Sequence, residues 1–326
     1  MIELKQATKV FDQRGIAGIH QFDLTIKKGS VFALMGPNGS GKTTLLNIIS
    51  GKIPLDSGSV KVKGKIHFFE RRSFEPGLNV QRFLIEAVSL DIDTDKKIQL
   101  SRDMADIFEF TSQLRQNMGQ LSQGQLQKVL MASELINKPD ILFLDEPFIH
   151  LDPMSRKDIL EMLFTYLKQQ EVTVVWITHE KDEALRFSTT VALIQHGKLE
   201  QVSTAEKILR EPRNLFVAQF FGHQNFIKIN FENGKWMSAW GEVTSTLAAS
   251  EGYLIVPSTA WKIDSTSSLT GIVTGIYPQY FACEIELEVN EKRMRVSLPL
   301  EAFDQWKKGQ KMSVSPKLSD CFVIGL

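Results

Sequence analysis

Short, wholly apolar runs alternate with stretches of helical period along residues 1–222. Val31-Phe32-Ala33-Leu34-Met35, Ile141-Leu142-Phe143-Leu144 and the run from Val172 to Ile177 have the continuous apolar character of strands buried on both faces. Leu160, Leu163, Phe164 and Leu167 recur at helical spacing behind Asp152 and Pro153, residues suited to an N-cap and a first helical position. Ser203 and Glu206 form a capping box ahead of Ile208 and Leu209. Strands alternating with helices predict an α/β fold with a mostly parallel sheet covered on both faces. Residues from about 79 to 136 carry helical patterns without strand signals, which predicts an inserted helical subdomain.

The period changes after Gly222. Phe226 to Phe231, the pair Asn233-Gly234, then Lys235 to Met237 predict a hairpin with an Asn-Gly turn. A second hairpin is clearer still. Ile285, Leu287 and Val289 alternate with Glu284, Glu286 and Glu288, and after Asn290-Glu291, Met294, Val296 and Leu298 alternate with Arg293 and Arg295. The apolar set faces a core while acids and bases face each other. Residues 223–326 therefore read as a small all-β, barrel-like domain, with Trp236, Trp240 and Trp261 as core packing. Two domains suit a chain of 326 residues.

Composition narrows the partners. Lys plus Arg and Asp plus Glu each total 38, so no global field recruits nucleic acid or an anionic membrane. No run approaches the roughly 20 apolar residues of a spanning helix, and the N-terminus has no basic-then-apolar leader. Cys283 and Cys321 are too few for a disulfide framework and read as small apolar side chains. The expectation is a cytosolic chain that reaches a membrane through a protein partner.

Gly36-Pro37-Asn38-Gly39-Ser40-Gly41-Lys42-Thr43 is a complete P-loop, and Thr44 opens a helix behind it. Its glycines let successive amides turn inward around an anion, and the helix start adds its positive end. Lys42 supplies a charge to the β- and γ-phosphates of a nucleotide, and the Thr43 hydroxyl a ligand to Mg²⁺. Asp145 ends the strand Ile141 to Leu144, and Glu146 follows at once. Carboxylates there suit metal binding and activation of a water.

Leu121-Ser122-Gln123-Gly124-Gln125 resembles the signature sequence of the ABC ATPase family, with Gln123 where Gly is commonest. The resemblance implies that Ser122, Gly124 and Gln125 serve an ATP molecule held by a second copy of the chain, in a head-to-tail homodimer. It implies that Phe11 stacks on adenine. Phe148-Ile149-His150-Leu151-Asp152 matches the loop that crosses between the copies, with Phe148 and His150 replacing small residues. His179, in Trp176-Ile177-Thr178-His179-Glu180, matches the switch histidine beside the γ-phosphate, and Glu146 the residue that polarises water. Glu70 stands where the family usually has Gln, as a Mg²⁺ contact and sensor of the membrane subunits.

From His179 onward the chain is similar to importer ATPases in particular, through Glu183-Ala184, Gly197-Lys198, Gln201-Val202 and Phe220-Phe221-Gly222. The domain from 223 resembles the TOBE domain of importers of sugars, polyamines, ferric iron and oxyanions. The resemblance implies membrane-spanning permease subunits as partners, a solute-binding protein indirectly, and a place on the cytoplasmic face of the membrane. An exporter ATPase, a non-transport ABC ATPase and a regulatory nucleotide-binding module are the competing readings.

Overall fold

The computed structural model describes residues 1–11, 18–69, 74–148, 151–232, 235–238, 241–243, 251–279 and 281–325. The chain divides into two compact units, Met1–Ala205 and Glu206–Leu326.

In the first unit, β1 (Ile2–Val10), β2 (Gly18–Ile26) and β3 (Val31–Met35) lead into α1 (Lys42–Ile49), then β4 (Ser57–Val62) and β5 (Ile66–Phe68). Next come α2 (Val80–Ala87), α3 (Thr94–Ile107) and α4 (Gln123–Leu135), the helical insertion. After it come β6 (Ile141–Asp145), α5 (Pro153–Gln169), β7 (Thr173–Ile177), α6 (Lys181–Phe187), β8 (Thr190–Gln195) and β9 (Lys198–Ser203). Among the described residues, a six-stranded sheet runs β5-β6-β7-β3-β8-β9, and a three-stranded antiparallel sheet runs β2-β1-β4. Only β9 is antiparallel in the larger sheet.

The continuous apolar runs have a direct cause. Leu142, Leu144, Val174 and Trp176 face the core shared with α2 to α5. Their neighbours Ile141, Phe143, Val175 and Ile177 face the core shared with α1 and the three-stranded sheet. Every position along β6 and β7 before the strand end is thus buried, and full burial of each large side chain is worth about 1.5–3 kcal/mol. The Asp152 cap is as the sequence implies, Asn79 caps α2 without having been singled out, and Ser203 ends β9. The Asn79 side chain accepts from Arg82 N, and that of Asp152 from Met154 N and Ser155 N. One tie between distant elements joins the Nε2 of His67 in β5 to the buried Glu134 carboxylate on α4.

In the second unit, the end of α7 (Ala205–Arg210) and α8 (Leu215–Phe220) precede β10 (Phe226–Glu232), β11 (Lys235–Ser238), β12 (Gly241–Val243) and β13 (Glu251–Ile255). Next come β14 (Trp261–Ile263), β15 (Thr270–Pro278), β16 (Ala282–Val289), β17 (Lys292–Pro299), β18 (Lys311–Pro316) and β19 (Phe322–Gly325). Among the described residues these form two five-stranded sheets, β12-β11-β10-β13-β19 and β14-β18-β15-β16-β17. Both contribute to one core, with Ile229, Trp236 and Leu254 from one and Val273, Ile285, Val296 and Val314 from the other. Trp261 is in the same core, while Trp240 and the Asn233-Gly234 turn lie outside the described residues.

The hairpin β16–β17 has the register that its alternation implies. Ile285 faces Val296 and Leu287 faces Met294. Asn290 and Glu291 make the turn with φ of 49° and 63°, the left-handed pair that such a turn requires. Its ion pairs run diagonally: Arg295 reaches Glu284 at 2.9 Å and Arg293 reaches Glu286 at 3.6 Å. Compactness places α8 with this unit, because Ala218 is buried with Ile255 and Ile324. The ring of His223 donates to the Leu209 carbonyl at 3.0 Å and meets Phe322 edge-on. Burial pushes its pKa down.

Candidate functional site

The phosphate cradle joins β3 to α1. Gly36, Gly39 and Gly41 have φ of 150°, 76° and 106°, values that favour glycine. A Cβ on Gly36 would lie 2.2 Å from the Ile194 carbonyl oxygen, so the loop can lie against β8 only without a side chain there. Gly41 precedes α1, and among the described residues no side chain caps that helix start. Its first amides are therefore free to meet an anion. Lys42 is buried and its ammonium donates to the carbonyls of Gly36 and Pro37 at 2.9 and 3.0 Å. Burial lowers its pKa, opposed by the charges of Glu146 and Asp145. The buried hydroxyl of Ser40 has no hydrogen-bond partner among the described residues, which leaves a polar atom for a phosphate oxygen.

The cradle opens onto a cleft of about 420 Å³ lined by Phe11, Gly18, residues 38–44, Glu146, Ile177 and His179. Phe11 is 54% exposed there. The end of β1 that carries it is anchored by Asp56, which accepts from Lys9 Nζ at 2.7 Å and Val10 N at 2.8 Å. Those two bonds, the lysine first, hold the Asp56 carboxyl below its usual range. Gly18 carries no sequence signal, yet a Cβ on it would lie 1.8 Å from the Lys9 carbonyl oxygen.

Two strand ends face the cradle. The Thr43 hydroxyl donates to Asp145 Oδ2 at 3.4 Å. Desolvation of the crowded strand end, then the Glu146 charge, push the Asp145 pKa up, while Thr43, Lys42 and His179 pull it back. A hydroxyl and one carboxylate side by side suit Mg²⁺, which keeps waters and phosphate oxygens in its octahedron. Glu146 adopts φ of 47°, an uncommon left-handed conformation for a side-chain-bearing residue. Its amide donates to the Ile177 carbonyl at 3.1 Å, which locks the turn against β7. Its carboxylate then lies 2.5 Å from Nε2 of His179.

The signature residues stand apart from this cleft within the chain. Ser122 caps α4: its hydroxyl accepts from Gln125 N at 3.3 Å, and the Gln125 side chain accepts from Ser122 N at 3.0 Å. Gln125 is thus engaged in the cap itself, and Gly124 lies beside Ser155 of α5. Phe148 is buried against Phe69 with ring centroids 5.8 Å apart, so the large residue anchors the loop that comes after Glu146. Glu70, Ile149 and His150 lie outside the described residues.

Residues 19–149 match the ABC transporter family model. The chain is 34% identical over 249 residues to the spermidine/putrescine import ATP-binding protein PotA of Mesoplasma florum, covering 70% of this chain and 68% of the relative. It is 31% identical over 243 residues to the PotA of Bacteroides fragilis, where the match spans 52% of the relative's length. It is 32% identical over 245 residues to the thiamine import ATP-binding protein ThiQ of Photobacterium profundum, covering 68% of this chain and all of the relative. Among solved structures, a dimeric ATP-binding cassette in a post-hydrolysis state with ADP and phosphate aligns at 26% identity, with a TM-score of 0.52 over 63% of this chain and 99% of that one. An inward-facing putative metal-chelate type ABC transporter aligns at 20% identity, with a TM-score of 0.57 over 72% of this chain and 94% of that one, a likeness of fold. No helix among the described residues is long and apolar enough to cross a membrane. The chain belongs to the ABC transporter family and is similar to the ATP-binding subunits of importers.

Proposed function

We propose that two copies of this chain close head to tail over two ATP molecules, hydrolyse them, and drive membrane-spanning permease subunits by the closing and opening. The observation that carries this reading is the pairing of Glu146 with His179 at 2.5 Å on the wall of the P-loop cleft. A carboxylate and an imidazole in contact can take a proton from water and hold that water for attack.

Each residue has a role that its place supports. Lys42 and the amides at the start of α1 grip the β- and γ-phosphates, and Phe11 stacks on the base. Mg²⁺, held by Thr43 and Asp145, would offset charge that develops on the phosphates during transfer. Glu146 accepts the proton of the attacking water, and His179 donates a hydrogen bond that fixes its direction. The α4 start at Ser122 and Gly124 closes over the nucleotide of the second copy. Hydrolysis removes the γ-phosphate that both copies grip, and the pair opens.

The permease would dock on the helical insertion, where Phe74, Leu78 and Phe83 line an open groove rimmed by Glu75, Arg82 and Glu86. Glu70, in the segment just before this groove, keeps its expected metal and coupling role in the proposal. The named relatives import chemically different solutes, spermidine or putrescine and thiamine among them. The cassette accordingly supplies the energy step, and the permease with any solute-binding protein selects the solute. The second unit supports the dimer. Docked in this way, the chain works at the cytoplasmic face of the membrane. Lys42→Ala tests the site: with permease present, steady-state hydrolysis should fall about 10²–10³-fold, and unchanged turnover would refute the assignment.

A further inference from the structure

How firmly His179 is held depends on the turn between it and α6. The amide of Glu180 donates to the buried Thr178 hydroxyl at 3.1 Å, and α6 begins at once, with Ala184 N donating to Glu180 O at 3.1 Å. Facing this turn is Arg156, one turn into α5, whose amide donates to Asp152 O at 3.0 Å. Its Nη2 donates to Glu183 Oε2 at 2.8 Å. Its Nε lies 2.7 Å from Glu183 Oε1 but is misaligned for a hydrogen bond, and its Nη1 lies 3.9 Å from Glu180 Oε1.

The pair is largely withdrawn from water, the side chains of Arg156 and Glu183 being 18% and 20% exposed. A desolvated ion pair is worth little for stability unless its geometry is good, and losing one partner strands the other. A cation near a helix N-terminus also works against the helix dipole. Glu183, in the first turn of α6, works with the dipole of its own helix, so the two dipole effects offset each other and the pair's main consequence is geometric. Arg156 also shares the wall of a small cavity of about 30 Å³ with Glu146, Thr178, His179 and Glu180. It stands directly behind the reacting pair.

We propose that Arg156 is a positioning residue for hydrolysis. By gripping Glu183 it holds the start of α6 against the start of α5 and so keeps His179 within reach of Glu146. This rests on the assignment of Glu146 and His179 to the reaction. Since α5 begins straight after residues 147–152, the clamp links His179 to the loop expected to meet the second copy. A lysine could replace the charge but not the planar fork.

The test uses the full chain with kcat, ATP affinity and two backgrounds. Arg156→Gln and Glu183→Gln should each lower kcat about tenfold or more while ATP affinity stays within about twofold. Glu183→Gln keeps the side-chain size and secures the test if Arg156→Gln folds poorly. Added to His179→Ala, neither change should lower the residual rate further, because they act through that ring. Unchanged kcat in both single variants, or an equal loss with and without His179, would overturn the clamp while leaving the catalytic assignment standing. Full activity of His179→Ala alone would overturn that assignment and the clamp with it.

Discussion

The carboxylate of Glu146 and the Nε2 of His179 lie 2.5 Å apart although they end two different strands and are separated by the whole of α5. Parallel pairing of β6 with β7 brings the strand ends side by side, with Asp145 opposite Ile177. The left-handed turn at Glu146 then aims its side chain at the residue after Thr178. The contact is a product of topology and one unusual backbone conformation together.

Ser122→Ala separates two roles of one hydroxyl. Loss of an N-cap costs about 1 kcal/mol, to be read by urea denaturation of the nucleotide-free protein. If α4 also closes over a partner's nucleotide, hydrolysis should fall by about 10²-fold while ATP affinity measured on the monomer is unchanged. A loss of stability with normal hydrolysis would leave Ser122 a cap and nothing more.

The glycines of the cradle should not be equivalent. At Gly39, with φ of 76° and open space where a Cβ would go, alanine incurs only left-handed strain, about 1–2 kcal/mol. At Gly36 the same change also drives a Cβ into the Ile194 carbonyl oxygen, so the loop must lift from β8. Gly36→Ala should therefore lower the urea midpoint more than Gly39→Ala and weaken ATP binding more. Equal effects would count against the cradle geometry.

The raised pKa of Asp145 fixes the sign of two pH effects. A carboxyl that titrates above its ordinary value favours the folded state in acid, where it is neutral. That contribution is lost as pH rises through the folded pKa. Asp145→Asn should accordingly raise the melting temperature of the nucleotide-free protein at neutral pH, with the gain shrinking as pH falls through that value. Metal-dependent ATP binding should move the other way, weakening in acid sooner than a fully solvated aspartate would cause. Thermal melts and ATP titrations from about pH 4 to about pH 8 check both; a gain that is independent of pH would contradict the cause given for the shift.

The P-loop was legible because all its parts are contiguous, and β16–β17 because period-2 alternation fixes which residues face inward. The cap at Asp152 is local in the same sense. The contacts that hold the site together are not. Nothing in the sequence marks Gly18 as the residue that must lie under Lys9, nor Glu146 as left-handed, nor Arg156 as the partner of Glu183. Each depends on how separate elements pack. The identity of α8 as part of the second unit likewise rests on Ala218 meeting Ile255 and Ile324, residues far apart in sequence.

The most direct measurement is the mass of the Glu146→Gln protein with saturating MgATP. Glutamine keeps the side-chain shape and removes the proton acceptor, so bound nucleotide should persist and hold two copies together. Light scattering should then report a dimer with two ATP molecules retained, reverting to monomer without nucleotide. A protein that binds ATP under those conditions and remains monomeric would contradict the head-to-tail account.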